Sequence, residues 1–211
     1  MKIQTLPVGP IGTNCHLAID ENTRRAVLLD PGDEADGILA HLRAENLALD
    51  AILVTHGHPD HILGLADLSD ALPSVPVWFP AGDLPWAFTP ANALAGFLPA
   101  PRRPVAELHP AIEGTLLPLA GAAWHCLETP GHTPGGVCWH VPSENLLFTG
   151  DTLFAGSAGR TDLPGGDYPT LLRSLRRIAG LPGSPVVLPG HGPSSDLDTE
   201  RRTNPFLQSG D

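Results

Sequence analysis

The chain has 211 residues, 42% hydrophobic and 17% charged, a balance that fits one globular domain spanning 1–211 and excludes a disordered chain. A net charge of −11 argues against a nucleic-acid backbone or an anionic membrane surface as partner. No apolar run approaches the roughly 20 residues of a membrane span, and Met1 to Thr5 carries neither the basic nor the apolar region of a signal peptide.

In chain order, Ile3 to Val8 and Cys15 to Ile19 read as strands joined by the Gly9-Pro10-Ile11-Gly12 turn. A third strand, Ala26 to Leu29, ends in Asp30-Pro31-Gly32. Asp33 is placed to cap a helix over 34–46, with Ile38, Leu39 and Leu42 as its apolar stripe. Ala51 to Val54 is a short apolar run of buried-strand type, and it stops abruptly in Thr55-His56-Gly57-His58-Pro59-Asp60-His61. A helix from His61 to Ala71 and a strand from Val75 to Phe79 follow. Pro80 to Pro110 is rich in Pro and Ala and poor in periodicity, so short helical turns within a long connection are expected there.

Beyond residue 110 four apolar runs are legible, and three end in a candidate ligand. Trp124 to Leu127 leads to His132, Leu146 to Phe148 leads to Asp151, and Pro185 to Leu188 leads to His191. The fourth, Val137 to Val141, is a hairpin partner without one. A helix from Tyr168 to Ala179, capped by Asp167, turns Leu171, Leu172, Leu175 and Ile178 inward. Strands followed by a helix in both halves predict an α/β protein: two sheets stacked face to face, helices outside, strand ends gathered at one edge.

The chemistry concentrates in the His-x-His-x-Asp-His segment. His56 and His58 are two residues apart and can converge on one ion from an extended loop. Asp60 and His61 point different ways and suit a second ion beside it. Imidazole and carboxylate together favour zinc, iron or manganese over calcium or magnesium. The other five histidines (His16, His41, His109, His125, His140) lack a Gly/Pro-bounded loop after a strand and are expected to be structural. Cys15, Cys126 and Cys138 form no close pair, consistent with a reducing cytoplasm, and read as small buried residues.

His56-x-His58-x-Asp60-His61, with His132, Asp151 and His191, resembles the seven-ligand set of the metallo-β-lactamase superfamily, whose fold is a four-layer αβ/βα sandwich. Asp30-Pro31-Gly32 matches the family's usual aspartate behind the ligand shell. Pro130-Gly131-His132-Thr133-Pro134-Gly135, Gly150-Asp151-Thr152-Leu153-Phe154, Gly159-Arg160-Thr161-Asp162, Pro189-Gly190-His191-Gly192-Pro193, Arg201 and Thr203-Asn204-Pro205-Phe206 narrow the likeness to short glyoxalase II-like proteins. The resemblance implies two divalent ions, zinc foremost and iron or manganese also suited. His56, His58 and His132 would hold the first, Asp60, His61 and His191 the second, with Asp151 between them. It implies a hydroxyacylglutathione hydrolase-like enzyme, hydrolysing S-lactoylglutathione or a related small acyl-thiol. The metal supplies a water nucleophile near pH ~7 without a side-chain base, and Asp60 is expected to orient that water.

Full-length glyoxalase II adds a C-terminal helical domain that helps hold glutathione, and this sequence ends at Asp211, too soon for one. Where the family enzyme presents a Lys and a Tyr to glutathione, this chain has Arg160-Thr161-Asp162, so Arg160 is the expected substrate contact. Leu63 stands where relatives often have Gly. S-lactoyl esters are the expected substrates and β-lactams are not. The Gly159 to Asp162 loop also resembles persulfide dioxygenases, which would use one iron on His56, His132 and Asp151. A family hydrolase of other substrate and a metal-stabilised binding module are the remaining readings.

Overall fold

The computed structural model describes residues 1–94 and 96–208. Its first sheet runs β1 (Lys2–Val8), β2 (Thr13–Ile19), β3 (Arg25–Leu29), β4 (Ala48–Leu53), β5 (Val77–Pro80) and β6 (Leu108–Ala111), paired in that order. The first two pairings are antiparallel and the rest parallel. The second sheet takes β7 (Leu116–Leu119), β8 (Ala122–Glu128), β9 (Val137–Val141) and β10 (Leu146–Gly150). After the small hairpin β11 (Leu153–Phe154) and β12 (Ser157–Ala158), it is completed by β13 (Val186–Pro189) and β14 (Ser195–Asp196). β13 pairs parallel with β10, and the other neighbours are antiparallel.

Strand alternation divides the apolar residues between two faces of each sheet. Ala18, Val27, Leu29 and Leu53 meet Trp124, Trp139, Phe148 and Leu188 between the sheets. Trp124 and Phe148 stack there at 5.2 Å. Leu17, Leu28 and Ile52 face outward, under α1 (Ala35–Ala44) and the later α3 (Leu65–Ala71), which is preceded by the single turn α2 (Pro59–Ile62). On the far side Cys138, Leu147 and Val187 pack against Leu171, Leu175 and Ile178 of α4 (Tyr168–Ala179). The layers are therefore helix, sheet, sheet, helix, as expected. Among the described residues no helix is long and apolar enough to cross a membrane.

Several local expectations need correction. Asp33 does not cap α1: the cap residue is Glu34, held at φ 55°, while the Asp33 carboxylate accepts only from the Glu34 N–H. The single helix expected from His61 to Ala71 is two, broken at Leu63-Gly64. There the Gly64 N–H donates to the Pro31 carbonyl at 3.0 Å, and a side chain on Gly64 would meet the Pro31 and Asp33 carbonyls. β5 begins at Val77 rather than Val75. The 80–110 connection holds turns and one 3₁₀ turn (Pro90–Asn92) as expected, but it ends in a strand, β6. β7 and the helix α5 (Leu197–Thr203), capped by Asp196 accepting from Thr199 N–H at 2.9 Å, were not anticipated, nor was the last turn α6 (Pro205–Gln208). Asp167 does cap α4, accepting from the Thr170 N–H at 2.8 Å.

Candidate metal centre

All seven expected ligand residues lie just beyond strand ends on one edge of the sandwich. His56 and His58 follow β4, and Asp60 and His61 sit on α2. His132 lies between β8 and β9, Asp151 directly after β10, and His191 just past β13. Their donor atoms cluster in three overlapping trios, each within 4.8 Å: His56, His58, His132; His56, His61, Asp151; Asp60, His61, His191. Asp30, at the end of β3, is nearly sealed from solvent and takes three hydrogen bonds. The Thr55 N–H donates at 2.7 Å, the Thr55 hydroxyl at 2.6 Å, and His61 Nδ1 at 3.0 Å. It sits at φ 50°, a strained conformation for a non-glycine residue of the kind that gathers at functional sites.

The proton positions follow from these partners. His61 Nδ1 donates to Asp30, so Nε2 bears a lone pair, yet it faces Asp60 Oδ2 at 3.3 Å and Asp151 Oδ1 at 3.4 Å. His132 Nδ1 donates to the Arg160 carbonyl at 2.7 Å, which turns its Nε2 lone pair toward His58 Nδ1 at 2.9 Å. His56 Nε2, His61 Nε2 and Asp151 Oδ1 are buried and have no hydrogen-bond partner. Buried polar atoms left unbonded are costly. Acceptors converging on one point, with no donor among them, fit a cation. The donor set of imidazoles and carboxylates suits a divalent transition metal.

The protein's own charges show the same tension. Burial drives His56 well below the ordinary histidine range, and the neighbouring His61, His58 and His132 press it further. His58 is pushed down to about 4 by burial and then by His132. Burial also opposes a charge on His61, but Asp60 and Asp151 outweigh it and raise that imidazole well above its usual value. For Asp60 burial works upward, yet His61 and the hydrogen bonds of His191 and His61 hold it far below the carboxylate range. His56 and His58 are thus held neutral and Asp60 and Asp151 ionised, the forms that ligate metal, while His61 keeps its proton only as long as those two carboxylates have no other cation to neutralise them.

Residues not anticipated from sequence brace the ligand loops. Asp83, wholly buried after β5, accepts from Gly57 N–H at 2.8 Å, Thr133 Oγ1–H at 2.8 Å and Gly135 N–H at 2.7 Å. One carboxylate therefore ties the His56-Gly57-His58 loop to the loop of His132. The Thr13 hydroxyl donates to Asp60 Oδ2 at 3.0 Å, and Asn14 Nδ2 donates to the Pro189 and Gly192 carbonyls on either side of His191. Asn204, which the sequence singles out within Thr203-Asn204-Pro205-Phe206, donates through Nδ2 to the Ser157 carbonyl at 2.9 Å and steadies the hairpin before Arg160. Among the unanticipated residues a signal existed for Asp83 alone: it is an acid just past a strand end. Of the remaining histidines, His16 is buried against the Pro189 carbonyl at 3.1 Å and His41 bonds Gln4, as structural residues do.

Arg160 lies at the rim of a cavity of about 410 Å³ that exposes Asp60, His132, Asp151 and His191. Its guanidinium is turned onto Asp162, at 2.6 Å to each carboxylate oxygen.

The comparisons agree with this geometry. The family described as the metallo-beta-lactamase superfamily matches residues 8–191. A probable metallo-hydrolase, YqgX, of Bacillus subtilis is 36% identical, covering 98% of both chains. The hydroxyacylglutathione hydrolase GloC of Haemophilus influenzae is 34% identical over 99% of both. Among solved structures, the BLEG-1 B3 metallo-beta-lactamase superposes with a TM-score of 0.90 at 36% identity, covering 99% of this chain and 100% of that one. TTHA1623 in a di-iron-bound form gives 0.84 at 40% identity, covering 97% and 100%. ETHE1 of Myxococcus xanthus gives 0.77 at 28% identity, covering 97% and 84%. With its ligand residues gathered at one edge of an αβ/βα sandwich and its sequence matched nearly end to end, the chain belongs to the metallo-β-lactamase superfamily of metal-dependent hydrolases.

Proposed function

We propose that the protein is a dinuclear metal-dependent thioester hydrolase acting on a small acyl-thiol of the S-lactoylglutathione type. The observation that carries this reading is the pairing of two donor trios, His56/His58/His132 and Asp60/His61/His191, with Asp151 between them. The full-length likeness to an enzyme named hydroxyacylglutathione hydrolase supports the substrate class, and the di-iron-bound neighbour supports two ions; the imidazole and carboxylate donors suit zinc as well as iron. When bound, the ions would supply a water nucleophile at neutral pH and polarise the acyl carbonyl.

The chain's own residues do the rest. Thr13 fixes the Asp60 carboxylate, which is exposed in the cavity and orients the attacking water. Asp30 holds His61 in one tautomer, and the Arg160 carbonyl does the same for His132. The Arg160 guanidinium would meet a carboxylate of the thiol carrier. A thiolate leaves readily, so no general acid is required. Three cysteines with no disulfide partner support a cytoplasmic setting.

A panel of substrates on protein purified without added metal, with Asp151→Ala as negative control and His125→Ala as positive control, tests the proposal. S-lactoylglutathione should be hydrolysed, β-lactams negligibly, with close to two metal ions per chain. The B3 metallo-beta-lactamase neighbour makes the β-lactam arm the direct competitor. One equivalent of iron with oxygen uptake on glutathione persulfide would favour the dioxygenase reading, and an active Asp151→Ala variant would sink the ligand assignment.

A further inference from the structure

A second cavity, of about 370 Å³, opens beside the first, and His58, Leu94 and Leu163 line both. Its remaining wall includes Trp86, Pro134 and Pro164, and no acidic side chain, Arg or Lys lines it. Asn92, the polar side chain there, is occupied: its amide donates to the Gly57 carbonyl at 2.7 Å and the Ala87 carbonyl at 2.6 Å. Trp86 stands edge-on to the His58 ring, with centroids 5.7 Å apart. The cavity is therefore apolar and ends on a ligand histidine.

Resting on the thioester-hydrolase reading, we propose that this cavity is the acyl pocket, and that the preferred substrates are thioesters with an uncharged aliphatic acyl chain of medium length. The division of the substrate follows from charge. Among the described residues Arg160 is the one Arg or Lys lining either cavity, so an anionic thiol carrier belongs on its side. A carboxylate in the second cavity would lose its water with no cationic side chain to replace it. An aliphatic chain loses nothing there and gains from burial. The scissile carbonyl then lies where the cavities join, beside His58. In the reaction the water oxygen bonds to the carbonyl carbon and the C–S bond breaks. Its electron pair leaves with sulfur, and the products are the carboxylate, the free thiol and one proton. At about 30 Å³ per water-sized unit, the cavity accepts about a dozen heavy atoms.

Glutathione thioesters from acetyl to octanoyl, assayed with the metal-loaded protein, test this. Burial of each methylene should raise kcat/KM about threefold to fourfold. Ala93→Trp, at an exposed position on the cavity wall, should cut the octanoyl-to-acetyl ratio of kcat/KM at least tenfold. Independently of turnover, octanoate should quench Trp fluorescence where equal acetate does not, and Trp86→Phe should remove most of that quench. A flat chain-length series with no octanoate-specific quench would overturn the pocket while leaving the thioesterase reading intact. Quenching by octanoate with no hydrolysis of any thioester would leave the pocket and remove the thioesterase reading. Octanoyl and acetyl esters weakened equally by Ala93→Trp would also count against it.

Discussion

Arg160 enters the site twice. Its carbonyl fixes His132 through a 2.7 Å hydrogen bond, and its guanidinium is paired with Asp162. The pair is open to solvent, with side-chain exposures of 61% and 67%, so water competes with it and it is weak. A substrate carboxylate can therefore draw Arg160 away from Asp162. Arg160→Ala keeps the carbonyl and removes only the cation, so KM for an anionic thioester should rise about tenfold with kcat nearly kept. Asp162→Ala releases the same cation and should lower KM severalfold, and both effects should shrink at high salt. Steady-state kinetics at two ionic strengths measure this. A collapse of kcat in Arg160→Ala with unchanged KM would place the guanidinium at the chemistry instead.

At the scale of elements, each ligand depends on how closely one strand end approaches the next. Gly190 closes β13 against β10: its N–H donates to the Gly150 carbonyl at 2.8 Å, and a Cβ there would collide with Asp151 Oδ1 and His61 Cε1. Gly190→Ala should therefore lower activity at least a hundredfold and reduce bound metal. Gly114→Ala, at a left-handed turn (φ 78°) but with open space around it, should cost only about 1–2 kcal/mol of stability. Equal activity in the two variants would show that the crowding at Gly190 is relieved cheaply. The strand ends and the clustered His and Asp residues beyond them were legible in the sequence because buried strands are continuous apolar runs and these polar residues interrupt them. β6 and β7 were not, since both are edge strands carrying a proline (Pro110, Pro118), where an unpaired edge tolerates it. The break at Gly64 is set by Pro31, and Asp83 by loops 26 and 50 residues away, distances at which local pattern carries no information.

In the whole molecule, the ligand edge joins the two halves of the sandwich. His56, His58, Asp60 and His61 come from the first sheet's side, and His132, Asp151 and His191 from the second. Hydrogen bonds already cross there, Val137 N–H to the Thr55 carbonyl at 2.8 Å and Trp139 Nε1–H to the Val54 carbonyl at 3.2 Å. The cysteines take no part: burial pushes the Cys138 thiol up to about 11 and raises Cys15 and Cys126 as well, so native protein should resist thiol reagents at pH 8. Metal removal should act on stability as well as on activity. Without a cation, His56 Nε2, His61 Nε2 and Asp151 Oδ1 are buried and unbonded, a cost borne only by the folded state. An ion bound at ~1,000 times its Kd stabilises by about 4 kcal/mol, and a chain of this size gains about 2–4 °C in Tm per kcal/mol. Chelation should then lower Tm by about 8–16 °C per ion under those conditions, and zinc or iron should restore it. Melting curves followed by circular dichroism, before and after chelation and after metal return, measure the shift. An unchanged Tm in fully demetallated protein would mean that the two sheets hold the ligand edge together without the ions.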